Sequence, residues 1–179
     1  YKGIFTILSS CASRQLEEVT FRRTVIPVQE LLDAAGKYFK KLIKNRPERI
    51  ELEIEPMEAK VIGDVNQLRF LLENLIDEAL TVREDGVIRL QARKDNEYVR
   101  FLFTDTRREK SVEELNQLFY PNLARMTSGE KGELRGTEYL VCKQIIRDHD
   151  EFAGRRGCRI NAEPAEGGGF TVYFTIPRR

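Results

Sequence analysis

The side chains able to do chemistry are few, and each has a restrained reading. One histidine, His149, lies near the end of a helical stretch, where an imidazole interacts with helix-terminal carbonyls. Three cysteines, Cys11, Cys142 and Cys158, are widely spaced, odd in number and without a Cys-x-x-Cys pattern. They read as reduced thiols and not as a disulfide framework or a zinc site. Arg155, Arg156 and Arg159 form a short basic cluster of the kind that touches nucleic acid, but such turns are usually solvated. Lys+Arg 30 against Asp+Glu 29 leaves a net charge of +1, which argues against a dedicated nucleic-acid binder. Asp105 closes a strand and is followed by Arg107 and Arg108; Glu73, Asp77 and Glu78 share a helical stretch. As residues alone these are a polar strand end, a solvated turn and the wet side of an amphipathic helix.

The elements that must position them are clearer. With 179 residues, 41% hydrophobic and 33% charged, the chain suffices for one domain with a buried core. No apolar run approaches the ~20 residues that cross a bilayer, and no signal-peptide pattern opens the chain. Residues 1–23 read as a polar, partly helical lead-in. Pro27 opens a helix over 28–44, with Val28, Leu31, Leu32, Ala35, Phe39, Leu42 and Ile43 at helical spacing. Ile50, Leu52 and Ile54 alternate with Glu51, Glu53 and Glu55 as a half-buried strand, and Val61-Ile62 is a short apolar segment. Asp64 caps a second helix, 65–80, with the strongest leucine stripe in the sequence. Val87–Ala92 and Tyr98–Phe103 form a hairpin across Lys94-Asp95-Asn96. Ser111 and Glu114 make a capping box for a short helix ending near Phe119. A long surface loop over 121–137 precedes a third helix, about 138–149. Strands at 158–163 and 170–176 follow. This order predicts helices on one face of a largely antiparallel mixed sheet, an α+β two-layer sandwich.

From Asp64-Val-Asn-Gln-Leu-Arg-Phe-Leu-Leu-Glu-Asn-Leu-Ile-Asp-Glu-Ala the sequence resembles the ATP-binding domain of sensor histidine kinases. These belong to the wider superfamily of gyrase, heat-shock-ninety chaperones and mismatch-repair ATPases (the Bergerat fold). The resemblance extends from about Val25 to Pro177. It takes in an F-box-like Leu118-Phe119-Tyr120-Pro121, the helix Leu140-Val-Cys-Lys-Gln-Ile-Ile-Arg-Asp-His, and the ending Gly-Gly-Gly-Phe-Thr-Val-Tyr-Phe-Thr-Ile-Pro. It implies that residues 27–179 are the ATPase-like domain and that 1–26 connect it to a larger protein.

What the resemblance implies for chemistry is mixed. Asn74 matches the N box, whereas Glu78 stands where the magnesium-binding asparagine belongs, although a carboxylate also ligates magnesium. Asp105 matches the adenine-binding aspartate of the first glycine box, but Arg107 and Glu109 replace its two glycines. In the second glycine box, Leu134-Arg-Gly-Thr-Glu-Tyr139, Gly136 survives and Glu138 adds a charge that opposes phosphate. Arg107 or Arg108 is expected to pair with a carboxylate, Glu138 or Glu78, and fill the pocket.

The resulting expectation is a degenerate, pseudokinase-like domain in two-component signalling, non-catalytic and acting as a relay or scaffold, with no cofactor. The alternative is a working ATP-binding kinase domain with an atypical lid, holding ATP and magnesium at Asn74 and Glu78. A third, kinase-like anti-sigma factors, would make it a regulatory protein-binding domain. Expected partners are other domains of the same polypeptide or a signalling protein. Leu8, Leu16 and Phe21 are expected to contact another chain or domain, a homodimer through the N-terminal segment being one form of that, with neither nucleic acid nor membrane, in the cytoplasm. The chain opens on Tyr1, which points to a piece of a longer polypeptide.

Overall fold

The structure is a computed structural model that describes residues 21–121 and 136–179. Its elements are β1 (Thr24–Pro27), α1 (Val28–Ile43), β2 (Ile50–Ile54), β3 (Lys60–Gly63), α2 (Val65–Ala79), β4 (Gly86–Asp95), β5 (Tyr98–Asp105), α3 (Val112–Asn116), α4 (Glu138–Phe152), β6 (Ile160–Pro164) and β7 (Phe170–Pro177).

Five strands form one sheet in the order β2-β4-β5-β7-β6, and β1 pairs with β3 in a second, two-stranded sheet. The β4–β5, β5–β7 and β7–β6 pairs are antiparallel, whereas β2 runs parallel to β4. A parallel pair needs a crossover, and the segment carrying β3 and α2 supplies it. The expected mixed sheet is therefore present, and the leucine stripes are core: Leu31, Leu32, Leu68, Leu71, Leu72 and Leu75 are all buried. They meet Ile88, Leu90, Phe101, Phe103, Val172 and Phe174 in one cluster, in which the Phe101 and Phe174 rings stack at 4.8 Å. The opposite side of β2 and β4 carries charge pairs, Arg89–Glu53 and Arg93–Glu55.

Local chemistry explains where the elements begin. The Asp64 carboxylate accepts from the amides of Asn66 and Gln67 and so caps α2. Ser111 and Glu114 close a reciprocal capping box on α3. Two boundaries differ from the sequence reading. The segment expected to lie outside the domain up to residue 26 contributes β1, with Ile26 in the core, and Val61-Ile62 is its strand partner. A strand of four residues with one buried side chain leaves almost no periodic signal. Phe21, expected to reach another chain or domain, packs edge-on against His149 and beside Phe152 of this one. The third helix runs three residues past its expected end. The lead-in over residues 1–20 with Leu8 and Leu16, and the loop over 122–135, lie outside the described residues. Among the described residues no helix is long and apolar enough to cross a membrane.

Candidate functional site

β5 delivers Asp105 to the end of the central sheet, and the chain then turns sharply. Thr106 donates its amide and hydroxyl to the Val87 carbonyl, and the Arg107 amide donates to Asp105 Oδ1 at 3.0 Å. The Arg107 side chain folds back over the same carboxylate. Its Nε donates to Oδ1 and its Nη2 to Oδ2, both at 2.9 Å, a bidentate pair whose side chains are 1% and 5% exposed. The remaining donors reach backbone: Nη2 to Ala79 O at 2.6 Å, Nη1 to Val82 O at 2.9 Å and to Glu84 O at 3.0 Å. The guanidinium thus makes five hydrogen bonds, as many as it has N–H groups. Ala79 ends α2, so the cation also sits at the negative end of that helix.

One residue that makes this possible escaped the sequence reading. Gly86 has φ +145, and a Cβ there would lie 2.6 Å from Arg107 Cγ. The Asp85-Gly86 pair before β4 was its only signal in the chain.

The expected partners of the arginines are corrected by these contacts. Arg107 pairs with Asp105, not with Glu138 or Glu78, because a residue two positions away presents both oxygens without any longer reach. Arg108 turns outward to Glu84 Oε1 at 2.9 Å, an exposed pair of small energetic weight. Glu109 is exposed.

On α2, Asn74 is 7% exposed, and its amide donates to the carbonyl of Phe70 one turn back at 2.8 Å. Glu78, one turn further on, is half-buried. Asp77 accepts a 2.6 Å hydrogen bond from the Tyr38 hydroxyl. Burial raises the Asp77 carboxyl above its ordinary range; the Tyr38 bond lowers it and the charge of Glu138 raises it further. Glu138 stands in the first turn of α4, where the helix dipole favours a carboxylate as it would favour a phosphate. Its Oε2 is buried without a hydrogen-bond partner among the described residues. Burial, then the charges of Glu138 and Glu78, push the Cys142 thiol well up, so it is inert as a nucleophile. Gly136, with φ +77, holds the left-handed turn before α4. Among the described residues no group of three acidic, histidine or cysteine side chains is placed to hold a metal.

The lone histidine lies elsewhere. Nδ1–H of His149 donates to Ile145 O at 2.8 Å and Nε2 accepts from the Asp64 amide at 3.1 Å, which ties α4 to the start of α2. The expected contact with helix-terminal carbonyls is not the one formed: the buried, neutral ring bonds to Ile145 O, one turn back inside α4.

The family model described as histidine kinase-, DNA gyrase B-, and HSP90-like ATPase matches residues 63–179, and the chain belongs to that family. Comparison with curated protein sequences gives no match. Solved structures give many. A mycobacterial sensor histidine kinase, MprB, is 18% identical, with TM-score 0.68 over 88% of this chain and 99% of that one. A catalytic domain of histidine kinase ThkA is 22% identical, with TM-score 0.68 over 88% and 96%. ThkA in complex with the response regulator TrrA is 20% identical, with TM-score 0.67 over 99% of this chain and 49% of that one. At these identities the likeness is one of fold.

ATP recognised through Asp105 does not fit the residues present. Both carboxylate oxygens already accept from Arg107, and an adenine amino group would have to compete there with a cation that three further acceptors, the Ala79, Val82 and Glu84 carbonyls, also hold in place.

Proposed function

We propose that this domain is a non-catalytic member of the histidine-kinase-like family, a relay or scaffold module of a two-component signalling protein in the cytoplasm. The observation that carries the reading is the buried Arg107–Asp105 pair, whose five hydrogen bonds replace what a nucleotide would provide at that position. Breaking a buried pair on one side leaves an uncompensated charge and costs about 3–5 kcal/mol. A ligand competing for Asp105 would have to meet that cost before gaining affinity. Glu138 supports the same reading, because its carboxylate takes the helix N-terminus that a phosphate would use. Asn74, Glu78 and Gly136 are then vestiges of a nucleotide site, with Arg107, Arg108 and Glu138 the residues that close or guard it. The module's partners are other domains of its own polypeptide or a signalling protein; the ThkA structure with a bound response regulator supports that class.

The test is calorimetric titration of the purified chain with ATP plus magnesium, and then with ADP. The expected result is no saturable heat in the micromolar range. Magnesium-dependent ATP binding at micromolar concentration or tighter overturns the proposal and restores the reading as a working kinase domain. An Arg107→Gly, Glu109→Gly, Glu138→Gly variant is expected to regain measurable nucleotide affinity.

A further inference from the structure

β2 is the end strand of the five-stranded sheet, and its outer edge has no strand partner among the described residues. Which backbone groups it offers follows from its pairing with β4. Gly86 donates to the Arg49 carbonyl and the Glu55 amide donates to Leu90 O, so the odd-numbered residues face β4. Successive residues of a strand point opposite ways, so the N–H and C=O groups of Ile50, Leu52 and Ile54 face outward. Beside this edge, α1 stands off and leaves an open groove of about 790 Å³. Its apolar walls are Leu32, Gly36, Phe39 and Ile43 from the helix and Leu52 and Ile54 from the strand.

The charges on the two sides of the edge differ in sign. Lys37 and Lys40 are exposed on the helical wall and outnumber its one carboxylate, Asp33, which accepts from Gln29, while Glu51 and Glu53 are exposed on the opposite face of the strand. Within the sheet, β4 already answers these glutamates with a cation, Arg89 Nε on Glu53 Oε1 at 3.0 Å. Glu51 has no ion-pair partner among the described residues. A second copy of the chain added along this edge would bring glutamates against glutamates, which is the usual way a sheet edge avoids pairing with itself.

We propose that the β2 edge is a strand-addition site for an extended segment of a partner protein in which apolar residues alternate with lysine or arginine. Its apolar residues fill the groove against α1, its cations lie beside Glu51 and Glu53, and its backbone bonds to Ile50, Leu52 and Ile54. The lysines of α1 fix which face is which, because they repel a strand presented the other way round. This site is independent of the Arg107–Asp105 pair and of whether the domain binds nucleotide.

The test uses the full chain and two capped peptides of about eight residues, one alternating valine with lysine and one valine with glutamate. Backbone amide exchange is read residue by residue. The lysine peptide is expected to slow exchange at Leu52 and Ile54 by about tenfold at saturation, and the glutamate peptide to leave them unchanged. Leu52→Pro removes an outward donor that no ladder bond uses, so the sheet survives and the protection read at the Ile54 amide is lost. Glu51→Lys with Glu53→Lys reverses the preference between the two peptides. Equal protection by both peptides, protection by neither, protection mapping to another strand, or self-association of the free chain through this edge each overturn the proposal.

Discussion

Gly86 and Arg107 occupy one space: a Cβ at residue 86 would stand 2.6 Å from Arg107 Cγ, and Arg107 is pinned by its five hydrogen bonds. Gly86→Ala therefore adds a steric clash to a backbone at φ +145 that side chains rarely adopt. The expected loss is about 3 kcal/mol, read by urea unfolding. In an Arg107→Ala background the clash disappears and only the backbone penalty remains. The two losses should thus combine to less than their sum. Strict additivity would mean that the two residues do not share the space.

Arg107→Ala itself leaves Asp105 ionised and buried, and strips the Ala79, Val82 and Glu84 carbonyls of a donor. The expected cost is about 3–5 kcal/mol. Arg107→Lys should recover little of it, since an ammonium cannot span both carboxylate oxygens and reach three carbonyls at once. Adding Asp105→Asn to Arg107→Met removes both charges together and should restore the part lost to the unpaired charge, though not the part lost at the Ala79, Val82 and Glu84 carbonyls. Thermal unfolding of the four variants decides it, and an Arg107→Lys domain as stable as the original would refute the geometry.

Much of the fold was legible because leucine spacing in α1 and α2 and alternation in β4, β5 and β7 are long-range signals averaged over many residues. What stayed hidden depends on single side chains. β1 hides because Ile26 is its one buried residue. As a residue Asp105 is only a polar strand end; it and the missing glycine at 107 stand out through the family resemblance alone. The partner of Arg107 could not be found, because it depends on a turn that folds the side chain back over a residue two positions away. A distant carboxylate such as Glu138 is the natural expectation from sequence, and the Thr106 turn makes a nearer one available.

Asp77 accepts from Tyr38 yet is held above its usual range chiefly by burial. A carboxyl whose folded-state pKa is raised binds its proton more tightly in the folded state, so its ionisation at neutral pH works against folding. Asp77→Asn keeps an acceptor for the Tyr38 hydroxyl and removes the charge facing Glu138. The variant should gain up to about 1 kcal/mol at pH 7, the pair being partly screened by solvent. The gain should shrink as the pH falls towards the ordinary aspartate range. Destabilisation at neutral pH would show that the charge itself is needed there.

His149 should set the acid side of the stability profile. Burial lowers its pKa from 6.5 to about 4; the bond to Ile145 O and the charge of Asp64 act the other way but do not offset it. The ring is neutral when folded, since Nδ1–H donates to Ile145 O while Nε2 accepts from the Asp64 amide. A proton on Nε2 would remove that acceptor and bury a charge against Phe21. Because the folded state binds this proton more weakly than the unfolded chain, the contribution is complete above pH 6.5 and is lost as the pH falls towards 4. One proton taken up on unfolding gives a slope of about 1.4 kcal/mol per pH unit, or about 3 kcal/mol across the window. His149→Gln should be less stable at pH 7 and should show a profile flatter by one proton over the same range. Urea unfolding of both proteins at intervals between pH 4 and 7 measures the two slopes. Parallel slopes would place the titrating group elsewhere and leave His149 with a purely steric role beneath Phe21.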